Sequence, residues 1–223
     1  MNIYDTSGGF ARTAMVFGCL VGLNGMAGAT TVNDGPGGFI QSFTGTQTGD
    51  IDILSASLTR SGSNLLFSAT MNGTIGNAAD TYVLGINRGL STRNFSAVGL
   101  GGVTFDSVLT VTGAGVQGGT DFVTNTPISD SFQISGATIT ATIPLSLLPL
   151  VSGGFTSADQ FLWNFWTRGS LQGVAVAGNA GLADFAPDNS DAGITPVPAA
   201  LPLFAGGGGI LGFLSWRRAR KPA

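Results

Sequence analysis

The 223-residue chain has no His, one Cys, 36 Gly and 9% charged residues, and its twelve acidic side chains are all Asp. With no Glu and a single Lys, the good polar helix formers are scarce, which disfavours a helical protein; 43% hydrophobic content with low charge argues against ordinary disorder. Between Thr30 and Ile194 eleven Asp face four Arg and no Lys, a net of seven negative charges that repels nucleic acid and argues against it as a partner.

In chain order, residues 1–29 read as an export signal. Arg12 supplies positive charge, Thr13 to Leu23 is a mostly apolar stretch, and Ala27-Gly28-Ala29 has the small-x-small cleavage pattern. Cleavage is expected after Ala29, with Ala27 as the alternative. Cys19 lies in the apolar core. The small residue before it suits a lipoprotein signal, but Phe17 is bulky where a small residue is needed, so the preferred reading removes Cys19 with the peptide. The mature chain then has neither Cys nor His. That excludes disulfides, Cys nucleophiles, His bases and His/Cys zinc sites.

Residues 30–183 are expected to form one all-β domain, a β-sandwich or jelly roll of about nine strands. The clearest unit is a hairpin, with Ile51, Ile53, Ala56 and Leu58 leading into "RSGSN" and Leu65, Phe67, Ala69 and Met71 leading out. The side-chain phase changes near Leu54, which predicts a bulge there. Further strands are expected at 38–44, 81–87, 103–112, 131–135, 137–144, 160–168 and 171–178. Single helical turns fit 144–151 and 157–161. The expected core is Val83, Ile86, Phe105, Val108, Leu109, Ile139, Ile143, Leu147, Phe161, Trp163 and Phe165. Residues 184–194 read as a polar linker.

Within the body, "GAGVQG" (113–118) matches the dinucleotide-binding spacing, but "GGTDFVTNTP" cannot supply the helix such a site needs, so it reads as a loop. Asp184, Asp188 and Asp191 are the candidate calcium ligands, with Asp50 and Asp52 as a second pair; solvated loop carboxylates are the competing reading. Nothing marks two Asp as the partners of a glycosidase. In "LWNFWTRG" (162–169) the preferred reading buries both Trp, one on each face of a covered strand. The alternative leaves Trp166 exposed beside Asn164 and Arg168 as a glycan contact. Arg88 and Arg93, in "INRGLSTRNF", fit either a binding loop or a plain turn.

The last residues raise a different question. "TPVPAALPLF" (195–204) is followed by a charge-free span, Ala199 to Trp216, and then by Arg217, Arg218, Arg220 and Lys221. Eighteen uncharged residues are at the short end of what crosses a bilayer, and the cations act as a cytoplasmic stop. The order of parts in 195–223 resembles the PEP-CTERM sorting signal, in the variant with a V-P-L-P-A-A-L-P-L-F type sequence. Pro196, Pro198, Ala199, Ala200, Leu201, Pro202, Leu203 and Phe204 match it; Thr195 and Val197 depart from it. The resemblance implies export by an exopolysaccharide-making bacterium, an inner-membrane intermediate, processing by an exosortase-type transpeptidase, and delivery to the cell surface or matrix. The expected protein is therefore non-enzymatic, with a structural or adhesive role linked to exopolysaccharide. The alternative is a carbohydrate-binding module, with or without calcium.

Overall fold

The computed structural model describes residues 31–170, 179 and 181–196. The expected export signal (1–29), the expected strand at 171–178 and the tail from Val197 onward, with its expected membrane span, lie outside the described residues. Within the described residues there is no α-helix, and no helix is long and apolar enough to cross a membrane.

The first strands are β1 (Thr31–Asn33), β2 (Ile53–Ser61), β3 (Asn64–Met71), β4 (Thr81–Asn87), β5 (Arg93–Phe95), β6 (Leu100–Phe105) and β7 (Ser107–Thr112). They are followed by β8 (Gln117–Asp121), β9 (Thr126–Pro127), β10 (Phe132–Ser135), β11 (Thr138–Pro144), β12 (Leu162–Arg168), β13 (Leu182–Ala186), β14 (Ala192–Gly193) and β15 (Thr195–Pro196). One sheet runs β1-β2-β3-β11-β10, with β15 parallel to β2. The second runs β13-β12-β4-β7-β8-β9, with β14 on β12, and β5-β6 is a separate hairpin. One apolar cluster draws Leu58, Phe67 and Ile139 from the first sheet and Leu84, Leu109 and Trp163 from the second, the packing of a β-sandwich.

Period-2 patterning accounts for the first sheet. On β11, Ile139, Ala141 and Ile143 point inward, while Thr138, Thr140 and Thr142 face outward or toward the rim. On β2 the register against β3 shifts between Ile53 and Ser55, so Ile53 is buried and the inward phase resumes at Ala56 and Leu58. This is the bulge predicted from the phase change near Leu54.

The second sheet departs from simple alternation because it is covered on both faces. β4, β12 and β13 are buried along nearly their whole length. Their outer face carries a second cluster, Val83, Trp166, Leu182 and Phe185, capped by Phe95, Val103 and Phe105 from the β5-β6 hairpin. Val83 and Phe105 therefore belong to this outer cluster rather than to the central core. Val108 and Leu147, expected in the core, are half-buried, and Leu148 takes the buried place beside Leu147.

Three further expectations are corrected. Residues 38–44 form no strand; they run as a turn-rich strap whose Phe39, Ile40 and Phe43 pack with Ile51 and Ala183. The single strand expected at 103–112 is divided at Asp106 into β6 and β7. Residues 184–194 are no linker: β13 is wholly buried, and Asn164 Nδ2 donates to the carbonyls of Pro187 (2.6 Å) and Ser190 (2.8 Å). The two expected helical turns are short 3-10 turns at Leu145–Leu147 and Ala158–Gln160, the latter with a Ser157/Gln160 capping box.

Asp106 divides β6 from β7 because its carboxylate is claimed by Arg88. Arg88 is 0% exposed; its Nε donates to Asp106 (2.7 Å), one terminal nitrogen to Asp121 (2.7 Å) and the other to the Pro149 carbonyl (3.1 Å). Burial pushes the Asp121 carboxyl up, but the Arg88 guanidinium and the Val123 N–H outweigh it and hold it below the usual range. Removing the cation would strand two buried carboxylates. Arg88→Ala is therefore expected to cost about 3–5 kcal/mol, read as a lower urea midpoint. Arg88→Lys should recover only part of it, because an ammonium cannot reproduce the planar fork.

Candidate functional site

The described body has eleven aspartates, and their chemistry depends on which of them have a counter-charge. Asp106 and Asp121 share Arg88, and Asp159 pairs with Arg60 at 2.7 Å on the surface. Arg93 lies 5.0 Å over the Phe122 ring. Arg168 is half-buried, and burial alone lowers its pKa. Among the described residues, none of these arginines forms an ion pair with Asp34, Asp52, Asp184 or Asp188.

Those four aspartates stand together. Oxygens of Asp34, Asp184 and Asp188 lie within 4.8 Å of one another. Asp34 follows β1, where its N–H donates to the Leu54 carbonyl at 2.9 Å. Asp184 sits in the middle of β13; its Oδ2 accepts from the Ile53 N–H at 2.6 Å and its Oδ1 from the Phe185 N–H at 2.8 Å. The β2 bulge thus falls where the Ile53 N–H reaches across to the other sheet, a common use of bulges beside sites. Asp188 is exposed in the turn after β13. Asp52 lies behind them and accepts from the Gly37 N–H (3.0 Å) and from Asn72 Nδ2 (2.8 Å).

Electrostatics here are unfavourable to charge. Burial, then the negative charges of Asp34 and Asp52, push the Asp184 carboxyl up to about 7 against the pull of its two N–H donors. Burial, then Asp188 and Asp52, raise Asp34 as well. Beside the cluster an open cleft of about 520 Å³ runs between the strap Gly38–Ser42 and Val98 and Leu100, with Asp188 in its wall.

The expected calcium ligands are therefore only partly brought together. Asp184 and Asp188 meet, but Asp191 does not join them: its carboxylate accepts from the Thr104 N–H at 3.1 Å and from the Thr104 hydroxyl, pinning the chain after β13 to β6. The third member is Asp34, far away in sequence, and no local spacing signals it. Asp50 and Asp52 do not act as a pair. Asp52 faces the cluster above, while Asp50 accepts from the Thr48 hydroxyl and approaches Asp80.

Asp50 and Asp80 form a second acidic centre. Asp80 is 1% exposed; its Oδ1 accepts from the Ser170 N–H (2.8 Å) and from Asn77 Nδ2 (3.0 Å). Its Oδ2 and the neighbouring Tyr82 hydroxyl have no hydrogen-bond partner among the described residues. Burial, then the Asp50 charge, raise the Asp80 pKa, and the same influences push the Tyr82 phenol up.

The glycan-contact alternative is corrected. Trp166 is 2% exposed and packed among Phe95 (edge-on), Phe105 (tilted) and Phe185 (stacked), with centroids 5.1–6.0 Å apart. Asn164 is buried and occupied by the carbonyls it holds. Neither offers a face to a sugar, and Arg168 is only half-exposed beside them. In the 86–95 loop Arg88 is a buried structural cation, which excludes it from any surface contact. "GAGVQG" is the turn joining β7 to β8, with Gly115 at φ +81° and no helix after it.

What the body does expose is hydroxyl-rich. On the outer face of the first sheet, cross-strand rows run Asn33–Ser55–Thr70–Thr138–Ser135 and Thr31–Ser57–Ser68–Thr140–Gln133. Sequence alternation indicated these polar positions, and strand pairing assembles them into one surface.

Compared with known proteins, the chain matches no family model, no curated protein and no solved structure.

Two outcomes follow from this geometry. Trp166→Ala is expected to destabilise the fold by about 3–5 kcal/mol through cavity formation, read by denaturant unfolding. Asp80 has a folded pKa above its unfolded value of 3.8, so its stabilising contribution is fullest below that value and is lost as pH rises through the raised one. The groups facing it are Asp50, Tyr82, Asn77 and Ser170. Asp80→Asn keeps an acceptor for Ser170 and removes a charge. Thermal melts from pH 4.5 to 9 should therefore show a flatter decline with rising pH in the variant than in the wild-type chain.

Proposed function

We propose that the protein is an exported bacterial cell-surface or extracellular-matrix protein with a structural or adhesive, non-enzymatic role linked to exopolysaccharide. In this reading residues 195–223 are a sorting signal that holds the body at the inner membrane until an exosortase-type transpeptidase processes it. The observation that carries the reading is the sequence order of the tail: the Pro-rich motif from Pro196 to Phe204, the uncharged span to Trp216, then Arg217, Arg218, Arg220 and Lys221. Pro-rich backbone is extended and poor in donors, so it suits access by a processing enzyme just outside a membrane.

The body is compatible with this role. Its last described strand, β15 (Thr195–Pro196), already includes the first residues of the motif. Rows of Ser, Thr, Asn and Gln on the first sheet, together with a net negative charge, suit hydrated association with polysaccharide rather than with nucleic acid. The carbohydrate-binding alternative rests on the same polar face and no longer on Trp166.

Mass spectrometry of the protein recovered from the surface and medium of its source cells tests the proposal. A chain beginning near Thr30 and ending between Pro196 and Ala199 is expected. A recovered chain that still carries Trp216 and the Arg cluster would leave a membrane-anchored protein and overturn the processing step.

A further inference from the structure

From the cluster of Asp34, Asp184 and Asp188 we infer a binding site for one hard divalent cation of the calcium class, bridging the start of the body after β1 to β13 of the second sheet. The inference does not depend on the sorting proposal.

The donor set comes first. Every ligand offered is a carboxylate oxygen, the chemistry of calcium rather than of zinc or copper. Two oxygens bound to one calcium at about 2.4 Å can be at most about 4.8 Å apart. The three oxygens fall within 4.8 Å of one another, close enough that a small inward turn of the exposed Asp188 side chain brings all three onto a single ion.

Acidic clusters are common on protein surfaces, and two observations set this one apart. Asp34 is half-buried, but its Oδ2 is shielded from solvent, meets the Asp184 carboxyl and has no N–H donor among the described residues. It is aimed into the cluster: a Cβ on Gly38 would lie 2.9 Å from Asp34 Oδ2 and 3.3 Å from Asp184 Oδ1, so both oxygens converge on one small space beside that glycine. Asp184, in turn, is 0% exposed and receives one N–H on each oxygen, which leaves lone pairs on both unsatisfied in a fully buried group. A buried carboxylate that is neither paired nor fully hydrogen-bonded is costly. Here it also faces Asp34, Asp52 and Asp188 with no arginine to offset them.

A cation resolves these deficits together. It would satisfy the Asp34 oxygen that lacks an N–H donor, use the free lone pairs of Asp184, and neutralise charge that now repels. Asp52 would act from behind as a positioning residue: its two oxygens hold the Gly37 N–H and Asn72, which fix the strap beside the ligands. Exposed Asp188, in the wall of the open cleft, gives the ion its path from solvent.

The Asp50–Asp80 pair is the rival location in the same molecule. It offers two carboxylates rather than three, and its aspartates belong to no group of three metal-ligating side chains among the described residues.

The test uses the full chain, stripped with EDTA, dialysed, and titrated calorimetrically with CaCl₂ and separately with MgCl₂. One calcium per chain is expected, with a Kd on the order of 10⁻⁴ M, as in extracellular calcium modules. Saturating CaCl₂ should raise the melting temperature by roughly 5 °C. Asp188→Asn changes an exposed ligand, so it should fold, melt in EDTA within about 2 °C of the wild-type chain, and bind calcium at least tenfold more weakly. Asp191→Asn should bind as the wild-type chain does. No saturable calcium uptake overturns the inference. So does uptake that is unchanged in Asp188→Asn, or that is lost in Asp50→Asn while surviving in Asp188→Asn.

Discussion

The molecule depends on burying the second sheet on both faces. Trp166 projects from the outer side of β12 and lies flat across β4 at Gly85, where any Cβ would overlap the indole ring. Phe95 and Phe105 from the β5-β6 hairpin and Phe185 from β13 close over it. On the opposite side of the same strand, Trp163 and Phe165 fill the space between the sheets. Each such side chain contributes about 1.5–3 kcal/mol on leaving water, and the aromatic edges add geometric specificity. The hairpin, the strap at 38–44 and the chain after β13 exist in their observed places because they cover this outer face.

Double coverage has an electrostatic price, since a chain so poor in cations must put several aspartates inside. Two of them are neutralised by Arg88, whose rigid fork serves Asp106, Asp121 and a backbone carbonyl at once. Asp191 and Asp52 are satisfied by N–H and hydroxyl or amide donors. Asp34, Asp184 and Asp80 are left with more acceptor capacity than the surrounding donors fill. The unfilled capacity sits at the joints between elements: β1 to β13 in one case, the turn before β4 and the end of β12 in the other.

Much of the first sheet was legible because one face is wet and alternation reports it. β3, β10 and β11 fall where the period-2 pattern put them, and the bulge in β2 announced itself as a change of phase. Where both faces are dry alternation is lost: β4 and β12 still stand out as apolar runs, but β13 does not. β13 reads "LADFA", with an aspartate in its centre and a proline after it, and passes for linker although every residue is buried. The strap at 38–44 alternates enough to pass for a strand, and of the β5-β6 hairpin only the end of β6 stood out, as the start of the strand expected at 103–112; the placement of both comes from the apolar clusters they cover. For the acidic site, Asp184 and Asp188 were visible as neighbours. Asp191 lay equally near in sequence but turns to Thr104, and Asp34 joins only through the pairing of β1 with β2. Proximity along the chain was a poor guide because the cluster is assembled across two sheets.

The ends of the body show why that cluster stands where it does. β1 pairs Thr31–Asn33 with Ser55–Ser57, and β15 pairs Thr195–Pro196 with Thr59–Arg60, so both ends are stitched to the same edge of β2. Short strands limit edge-to-edge association with other molecules, yet they contribute few ladder bonds to hold the chain. Pro196 has no N–H to donate to the parallel ladder. The N-terminal stitch is three residues long, and the aspartate that follows it, Asp34, is the one that turns toward β13. A charge-mediated link at that point adds a second attachment where backbone pairing is short. It joins the chain near its start to a strand of the opposite sheet, a connection that the hydrogen-bond ladders alone do not provide.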